Sequence, residues 1–251
     1  EFAELSSEFG DFFGLSLRGT FHEDDSFDFS YYYPYYCGNR ISTMEQVEIE
    51  KHAEKESYAG ICDDVRLGVT LIFYLQNVPD YLAVKNNKFY QNQSEGVILG
   101  ALSTEGKVLL PVNKTEQKNL PTQQNTDERN RLIAEARNGN EDAIENLTLE
   151  DMDTYSMISR RVQHEDIMSI VESYFMPYGI ESDQYSILGE ITDVKLLQNR
   201  MTEENVYALD IRCNDMELSL CINQKDLFGE PQVGRRFKGN IWLQGSVKYR
   251  D

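Results

Sequence analysis

Residues 151–191 read DMDTYSMISRRVQHEDIMSIVESYFMPYGIESDQYSILGEI, and the hydrophobic period changes within this stretch. A capped helix is predicted over 148–161, followed by an amphipathic helix over 165–176 whose apolar residues recur at three- and four-residue spacing. Pro177 should end the second helix, because the residue before a proline disfavours helical geometry. From Tyr185 the period is that of a strand. The stretch therefore predicts a joint between a mixed first part of the chain and an all-β last part.

The clearest pattern in the last part is a hairpin centred on Asn214-Asp215. With these two residues as the turn, one face of the hairpin is entirely apolar and the other is polar. A one-residue slip would destroy both faces, so the sequence specifies the register. The predicted pairs are Tyr207–Ile222, Leu209–Leu220, Ile211–Leu218 and Cys213–Met216 on the apolar face, and Arg212–Glu217 and Asp210–Ser219 on the polar face.

The final strand, predicted over 237–249, has one apolar face that includes Gly239 and Gly245. Glycines on a buried strand face suit the tight coiling of a small barrel. Together with the hairpin, this strand predicts a small C-terminal β-barrel of the OB or SH3 type.

Residues 1–112 are predicted to be rich in antiparallel strands. Apolar and polar side chains alternate over 15–21, the pattern of a half-buried strand, and 27–36 continue as the second strand of a hairpin. Pro34 places that second strand at a sheet edge or a bulge. The tyrosine-rich run 31–36 is either a partner surface or core and edge packing, and packing is favoured.

The remaining elements of this part are less regular. Residues 67–75 are nearly continuous in apolar and β-branched side chains, which predicts a central strand covered on both faces. Residues 47–53 predict a solvated strand, and 79–85 a short helix. The segments 97–102 and 108–112 flank a polar turn and predict a hairpin.

The predicted fold class is α+β, with an N-terminal antiparallel β-rich unit, a helical connector and a C-terminal small β-barrel. Asn113 to Asn125 is polar and contains a proline, so it predicts a linker. The predicted domains are an N-terminal domain over 1–112, a linker over 113–126, a helical connector over 127–176 and a barrel over 177–251.

Charge and cysteine content limit the functional classes. The 251 residues carry a formal net charge of −19, which disfavours general binding to nucleic acid and to anionic lipid. No apolar run approaches the roughly 20 residues that cross a bilayer, so no membrane partner is predicted. Four cysteines without Cys-x-x-Cys spacing favour a reduced, cytoplasmic protein. The chain begins at Glu1 without a Met, so the sequence leaves an export signal open.

No motif in the sequence assembles catalytic chemistry, so no catalytic residue, metal ligand or cofactor is predicted. His52 with Glu50 and Glu54 is a possible metal site, but a solvated edge strand is favoured. Asp151 and Asp153 resemble a magnesium pair, but acids that complement a helix dipole are favoured. An enzyme is left open and ranked last, with a carboxylate site at Asp63, Asp64, His52 and Glu54.

A local excess of positive charge lies in the last predicted strand. Residues 231–251 hold five basic residues and one acidic residue, and the candidate ligand-binding residues are Arg236, Lys238, Trp242 and Lys248. A basic face with an aromatic side chain on a small barrel is typical of binders of single-stranded nucleic acid. The favoured alternative is that the helices of the joint cover Trp242 and that the basic groups pair with Glu165, Asp166 and Glu172.

Five long runs of the sequence resemble one known family: VEIEKHAEKESYAGICDD (47–64), LSTEGKVLLPV (102–112), NLTLEDMDTYSMISRR (146–161), YFMPYGIESDQYSILGEI (174–191) and GEPQVGRRFKGNIWLQG (229–245). They are similar to domain-of-unknown-function family 3881, found in clostridia and related Firmicutes. The resemblance implies a bacterial cytoplasmic origin and brings no catalytic residues. The expected function is a non-catalytic interaction or scaffold protein with a protein partner or a second copy. The alternative is a binding module for an anionic ligand or single-stranded nucleic acid, using the outer face of the last strand.

Overall fold

Strands dominate the computed structural model, which describes residues 2–52, 57–86, 94–112, 131–136, 138–149, 152, 166–180 and 182–249. The strands expected for the α+β class are therefore confirmed, whereas few of the described residues are helical. The strands are β1 (Phe2–Gly10), β2 (Phe13–Phe21), β3 (Phe27–Tyr36), β4 (Glu48–Lys51), β5 (Tyr58–Asp64), β6 (Val69–Leu75), β7 (Ser94–Leu109), β8 (Tyr174–Pro177), β9 (Gln184–Gln198), β10 (Asn205–Cys213), β11 (Met216–Asn223), β12 (Leu227–Phe228) and β13 (Arg236–Tyr249). Helical residues are α1 (Val78–Asn86), α2 (131–136), α3 (141–149), α4 (Ile167–Ile170) and a 3-10 turn, Gln224–Asp226.

The first three strands form a separate antiparallel sheet, here called the small sheet, in the order β1-β2-β3. Pro34 lies in β3, which is an edge strand, as the sequence predicted. Proline is tolerated there because an edge strand leaves alternate N–H groups without a ladder partner.

The other ten strands form one mixed sheet, here called the main sheet, in the order β12-β7-β11-β10-β9-β13-β6-β5-β4, with β8 beside β9. Strand β7 pairs in parallel with β11 and antiparallel with β13. Five strands therefore form a ring of pairings: β7 pairs with β11, β11 with β10, β10 with β9, β9 with β13, and β13 with β7. Because β4 to β7 come from residues before 112, the main sheet joins strands from both sides of the predicted domain boundaries.

The hairpin β10–β11 has the register that the sequence predicted, from Tyr207 opposite Ile222 to Cys213 opposite Met216. Its turn residues, Asn214 and Asp215, have φ values of 48° and 62°, the left-handed pair of a tight hairpin turn. Local alternation is sufficient to set this register because both strands and the turn are adjacent in sequence.

The hydrophobic core consists of apolar side chains from the strands of the main sheet, which pack together in one buried cluster. Leu209 and Leu243 are fully buried, and Leu218 is 2% exposed. Strand β6, between β13 and β5, buries Leu71, Phe73 and Leu75 in the same cluster, as expected of the predicted central strand. The apolar interior predicted after Tyr185 is therefore confirmed.

The predicted helix over 165–176 is wrong beyond Ile170. Asp166 caps α4 by accepting a hydrogen bond from the Met168 amide, but Val171 is already extended. Strand β8 then pairs with β9 and buries Phe175, which is 3% exposed. Pairing with a neighbouring strand outweighs helical periodicity here, and aromatic side chains fit a half-buried strand well.

The predicted hairpin over 97–112 is also wrong, because β7 is one continuous strand of 16 residues. Strand β13 pairs with β7 along nearly its whole length, which keeps the polar middle extended. A Cβ at Gly106 would lie 2.4 Å from the Phe237 ring, so glycine serves close packing here and does not form a turn.

Other predictions have mixed outcomes. The short helix predicted over 79–85 is confirmed as α1. The predicted linker over 113–126 lies outside the described residues, as does nearly all of the helix predicted over 148–161. In the part of the chain that the structure describes, no helix combines the length and the hydropathy that crossing a bilayer requires.

Candidate functional site

The small sheet turns its polar side towards the main sheet. Arg18, in the central strand β2, is completely buried. The rings of Tyr33 and Tyr74 lie 4.8 and 5.2 Å from its guanidinium carbon. Its hydrogen-bond acceptors are the Glu4 carboxylate at 3.1 Å, the Tyr31 and Tyr33 hydroxyls at 3.1 Å each, the Leu75 carbonyl at 3.1 Å and the Gln76 carbonyl at 3.0 Å.

The carboxylate of Glu4 completes this buried network. Its Oε1 accepts hydrogen bonds from Ser16 at 2.6 Å and from Tyr33 at 2.7 Å. Burial raises the pKa of Tyr33, so its hydroxyl remains protonated and able to donate. The charged pair is therefore fully partnered, the condition under which burial of an ion pair is tolerated.

The end of β3 also approaches the main sheet closely. A Cβ at Gly100 in β7 would lie 2.1 Å from the Tyr36 carbonyl oxygen, so a side chain there would keep the two backbones apart. Phe13 and Tyr36 pack on Ala208 and Cys221, on the outer surface of the hairpin β10–β11. The small sheet therefore covers that surface of the hairpin.

The opposite surface of the small sheet is apolar and faces solvent; we call it the outer face. Leu5 is 44% exposed, Phe29 56% and Tyr32 63%. Its residues form three cross-strand rows, and none of these nine described residues carries a charge. The rows are Ala3–Gly19–Phe29, Leu5–Leu17–Tyr32 and Ser7–Leu15–Pro34.

The small sheet is therefore inverted relative to the usual amphipathic strand, whose apolar side faces the core. The alternation of Leu15 and Leu17 with Ser16 and Arg18 is visible in the sequence, but it does not reveal which side is covered. Sequence reasoning therefore considered a partner surface only for the run 31–36, where it favoured packing, and did not include Leu5 or Phe29. A large uncharged patch open to solvent is typical of an interaction surface.

Two of the four candidate ligand-binding residues lie beside α4. Arg236 is only 5% exposed, and its guanidinium donates to the carbonyl oxygens of Leu110, Val171 and Met168 at 2.9, 2.6 and 2.7 Å. The Lys238 ammonium lies 3.7 Å from the Met168 sulfur. The joint thus binds Arg236 through backbone carbonyls. The alternative had instead predicted helical cover over Trp242 and pairing of the basic groups with Glu165, Asp166 and Glu172, of which Glu165 lies outside the described residues.

The other two candidates have their own contacts. Trp242 is half-buried, its indole N–H donates to Asp183 at 2.7 Å, and its ring packs edge-on against Tyr74 at 5.3 Å. The Lys248 ammonium lies 3.5 Å from the Glu95 carboxylate. At about 3.3 Å per residue, β13 carries Arg236 and Lys248 up to about 40 Å apart, so the four do not converge on one point.

The carboxylate site proposed for an enzyme does not assemble among its described members. Asp64 is buried and receives two hydrogen bonds from the Arg66 side chain, at 2.9 and 2.5 Å. Asp63, its neighbour in β5, accepts a 2.6 Å hydrogen bond from Thr70 at the surface. His52 is exposed, and Glu54 lies outside the described residues, as do Asp151 and Asp153.

Two open cavities flank the loop over 41–48, with volumes of about 560 and 510 Å³. Arg66 lines the first and donates hydrogen bonds to the Ser42 carbonyl at 2.8 Å and to the Asp215 carbonyl at 3.1 Å. Acidic side chains line the second, and no cluster of three metal-binding side chains occurs in the described ranges. The lining residues are Ile41, Ser42, Thr43, Met44, Glu45, Asp64, Val65 and Arg66 in the first cavity, and Glu45, Gln46, Val47, Glu48, Ile61, Cys62, Asp63 and Ser94 in the second.

Comparison with known proteins identifies one family. Neither the curated proteins nor the solved structures contain a match to this chain. The sequence model of a family described as "Domain of unknown function, E. rectale Gene description (DUF3881)" matches residues 1–245. Because this match spans nearly the whole chain, the protein belongs to that family.

Proposed function

We propose that this chain is a non-catalytic interaction protein whose docking surface is the outer face of the small sheet. The observation that carries the proposal is the inversion of that sheet. Arg18, Tyr33 and most of Glu4 are buried against the main sheet, while Leu5, Leu17 and Tyr32 form a row on the solvent-facing side, where Leu5 is 44% and Tyr32 63% exposed.

Leaving this apolar surface in water costs free energy. Each apolar side chain that moves from water into a contact contributes about 25 cal/mol per Å² of buried area. Aromatic residues such as Phe29 and Tyr32 are enriched at interfaces, where charged residues are depleted. A protein partner that covers the three rows would bury apolar area without having to desolvate a charge.

The experiment is a pull-down with the tagged 251-residue chain from a lysate of the organism that produces it. The variant Leu5→Glu places a charge in the central row, and Leu196→Glu is the matched control, an exposed strand leucine on β9. A stoichiometric partner, of whatever identity, should be retained by the wild type and the control and lost with Leu5→Glu. Retention of the same partner by Leu5→Glu would overturn the proposal.

A second candidate function is binding of an anionic ligand or single-stranded nucleic acid through β13. The ring of five paired strands supports it, since we interpret this ring as a small OB-like barrel, an architecture that binds oligonucleotides. Lys238 and the half-buried Trp242 lie on the outer side of that ring.

Trp242 is the only tryptophan of the chain, so its fluorescence reports on this face alone. The second candidate predicts quenching when an oligonucleotide is added at low salt, and loss of quenching in Lys238→Gln. Unchanged fluorescence would exclude it. Burial of Arg236 and coverage of the β10–β11 surface by the small sheet favour the first proposal.

We further propose a bacterial cytoplasmic location. Cys37, Cys62, Cys213 and Cys221 are all free thiols, the state expected in a reducing compartment. Fractionation of the source bacterium followed by immunoblotting tests this, and recovery outside the cytoplasmic fraction would contradict it.

A further inference from the structure

We infer that the partner covering the outer face is a second copy of this chain, related to the first by a two-fold axis. The inference rests on the proposed function, since both use the same surface. It adds the identity of the partner and the way in which the two sheets meet.

Charge is the first argument. The chain has a formal net charge of −19, so contact between two copies through acidic surfaces is repulsive. A two-fold interface sets the same patch against itself, so a patch of uniformly negative charge would repel its own copy. The three rows of the outer face contain no charge, while Glu4 lies on the buried side of the sheet. This patch therefore places no like charges in contact when it meets its own copy.

Shape is the second argument. The rows place large residues on β3 and smaller ones on β1, with β2 between them. A two-fold axis parallel to β2, midway between two facing sheets, sets β3 of one copy over β1 of the other. Phe29 then lies over Ala3 of the second copy, and Tyr32 over Leu5. Leu17 lies at the axis and meets its own equivalent. Large side chains thus face smaller ones, which permits the interdigitation of two packed sheets.

Size is the third argument. Strands of nine residues at about 3.3 Å per residue and about 4.8 Å between strands give the small sheet a flat side of roughly 450 Å² per copy, of which the three uncharged rows make up roughly two thirds. The pair would bury roughly 900 Å², which is below the standard interface of about 1,600 Å² and within the range of weak, reversible complexes. The dimer is therefore expected to dissociate on dilution.

The experiment is sedimentation velocity on the full chain over a range of concentrations. The wild type should move from the monomer mass of 29.0 kDa towards twice that value as concentration rises. Leu5→Glu and Tyr32→Lys should each raise the dissociation constant by about tenfold or more, equivalent to about 1.4 kcal/mol or more. The control Leu196→Glu, on the other sheet, should behave as the wild type.

Mixing the two variants tests the arrangement itself. In a mixed dimer of Leu5→Glu with Tyr32→Lys, one contact is wild type and the other joins the new carboxylate to the new ammonium. Association should therefore return in the equimolar mixture. Both positions are exposed, at 44% and 63%, and an unchanged circular dichroism spectrum and urea midpoint confirm that the variants fold.

Each contrary result has its own meaning. A wild type that remains monomeric at every concentration overturns the inference. If a different protein is then retained from a lysate through the outer face and lost with Leu5→Glu, the proposed function stands. If no partner is retained either, both fail. Failure of the mixture to associate, when the wild type does, overturns the placement of β3 over β1.

Discussion

The side chain of Arg18 in β2 donates a 3.0 Å hydrogen bond to the backbone carbonyl of Gln76, 58 residues further along the chain. This contact attaches the small sheet to the main sheet through a buried polar network, which lies beside the apolar contact of Phe13 and Tyr36 with Ala208 and Cys221. It explains why the leucines of β2 lie on the opposite, solvent-facing side.

Removing the Arg18 guanidinium is expected to lower the free energy of unfolding strongly. Arg18→Met leaves a buried carboxylate on Glu4, two carbonyls and two hydroxyls without their donor. Loss of one partner of a buried ion pair costs about 3–5 kcal/mol of unfolding free energy, and urea denaturation measures it. The matched control is Arg200→Met, whose pair with Asp11 is 65% exposed on both sides, and which should cost at most about 1 kcal/mol. Equal losses in the two variants would contradict the assigned role.

The stabilisation supplied by Asp64 should depend on pH. Burial acts to raise the pKa of Asp64, but hydrogen bonds from Arg66 and Thr43 outweigh it and hold the pKa below its usual value. The folded state therefore favours the ionised carboxylate. The resulting stability is complete above the unfolded-state pKa of about 4 and is lost as pH falls through the lower folded-state value.

Asp64→Asn should thus lower the free energy of unfolding by about 2 kcal/mol at neutral pH, less than the loss of about 3–5 kcal/mol expected for a fully buried pair, because Arg66 is partly exposed. The difference between wild type and variant should shrink as pH falls below about 4, and urea denaturation across pH measures it. Asp63→Asn, at the surface in the same strand, is the control and should change stability little. A pH-independent difference for Asp64→Asn would show that its charge is not what stabilises the fold.

Thiol labelling should distinguish the four cysteines. Burial raises the pKa of Cys62, Cys213 and Cys221 to about 12, so thiolate is scarce near pH 8. Cys37 is half-buried, and burial also raises its pKa. In the folded protein a chromogenic disulfide reagent should therefore react slowly with Cys37 and reach the other three only on unfolding. Cys37→Ser should abolish the folded-state reaction, whereas rapid labelling of that variant would refute the burial of the remaining thiols.

Replacing Asp210 by asparagine should raise the free energy of unfolding. It is 8% exposed, and its Oδ1 accepts a 2.7 Å hydrogen bond from Ser219. Within the described part of the chain, its Oδ2 has no hydrogen-bond partner, and Asp193 lies directly across on β9. Asp210→Asn keeps the acceptor for Ser219 and removes a buried charge next to another acid. Thermal and urea unfolding should show a gain of about 1 kcal/mol.

The control for that substitution is Asp193→Asn, whose carboxylate is 44% exposed and lies 3.4 Å from the Lys195 ammonium. It should change stability by less than about 1 kcal/mol, as expected for an exposed pair. A loss of stability in Asp210→Asn would mean that the ionised carboxylate is needed where it lies.

Part of the candidate surface could be predicted from the sequence. The alternation in 15–21 predicted a strand with one apolar and one polar side, and Pro34 placed β3 at an edge. The side that is covered depends on Tyr74, Leu75 and Gln76 in the main sheet, which no local pattern reveals. The candidate residues of β13 were predicted from their charge, but whether Arg236 meets solvent depends on the position of α4.

By itself, the sequence determined the elements whose contacts are local: the hairpin β10–β11 with its register, the buried strand β6 and the helix α1. Such elements are specified by side-chain period and turn chemistry within a few residues. Only the tertiary structure decided that β7 is a single strand between β11 and β13, that Tyr174–Pro177 is a strand, and that the small sheet is inverted. For β7 and the small sheet the deciding partner lies far away along the chain. For Tyr174–Pro177 it is the next strand, β9, whose hydrogen bonds outweigh the local helical preference.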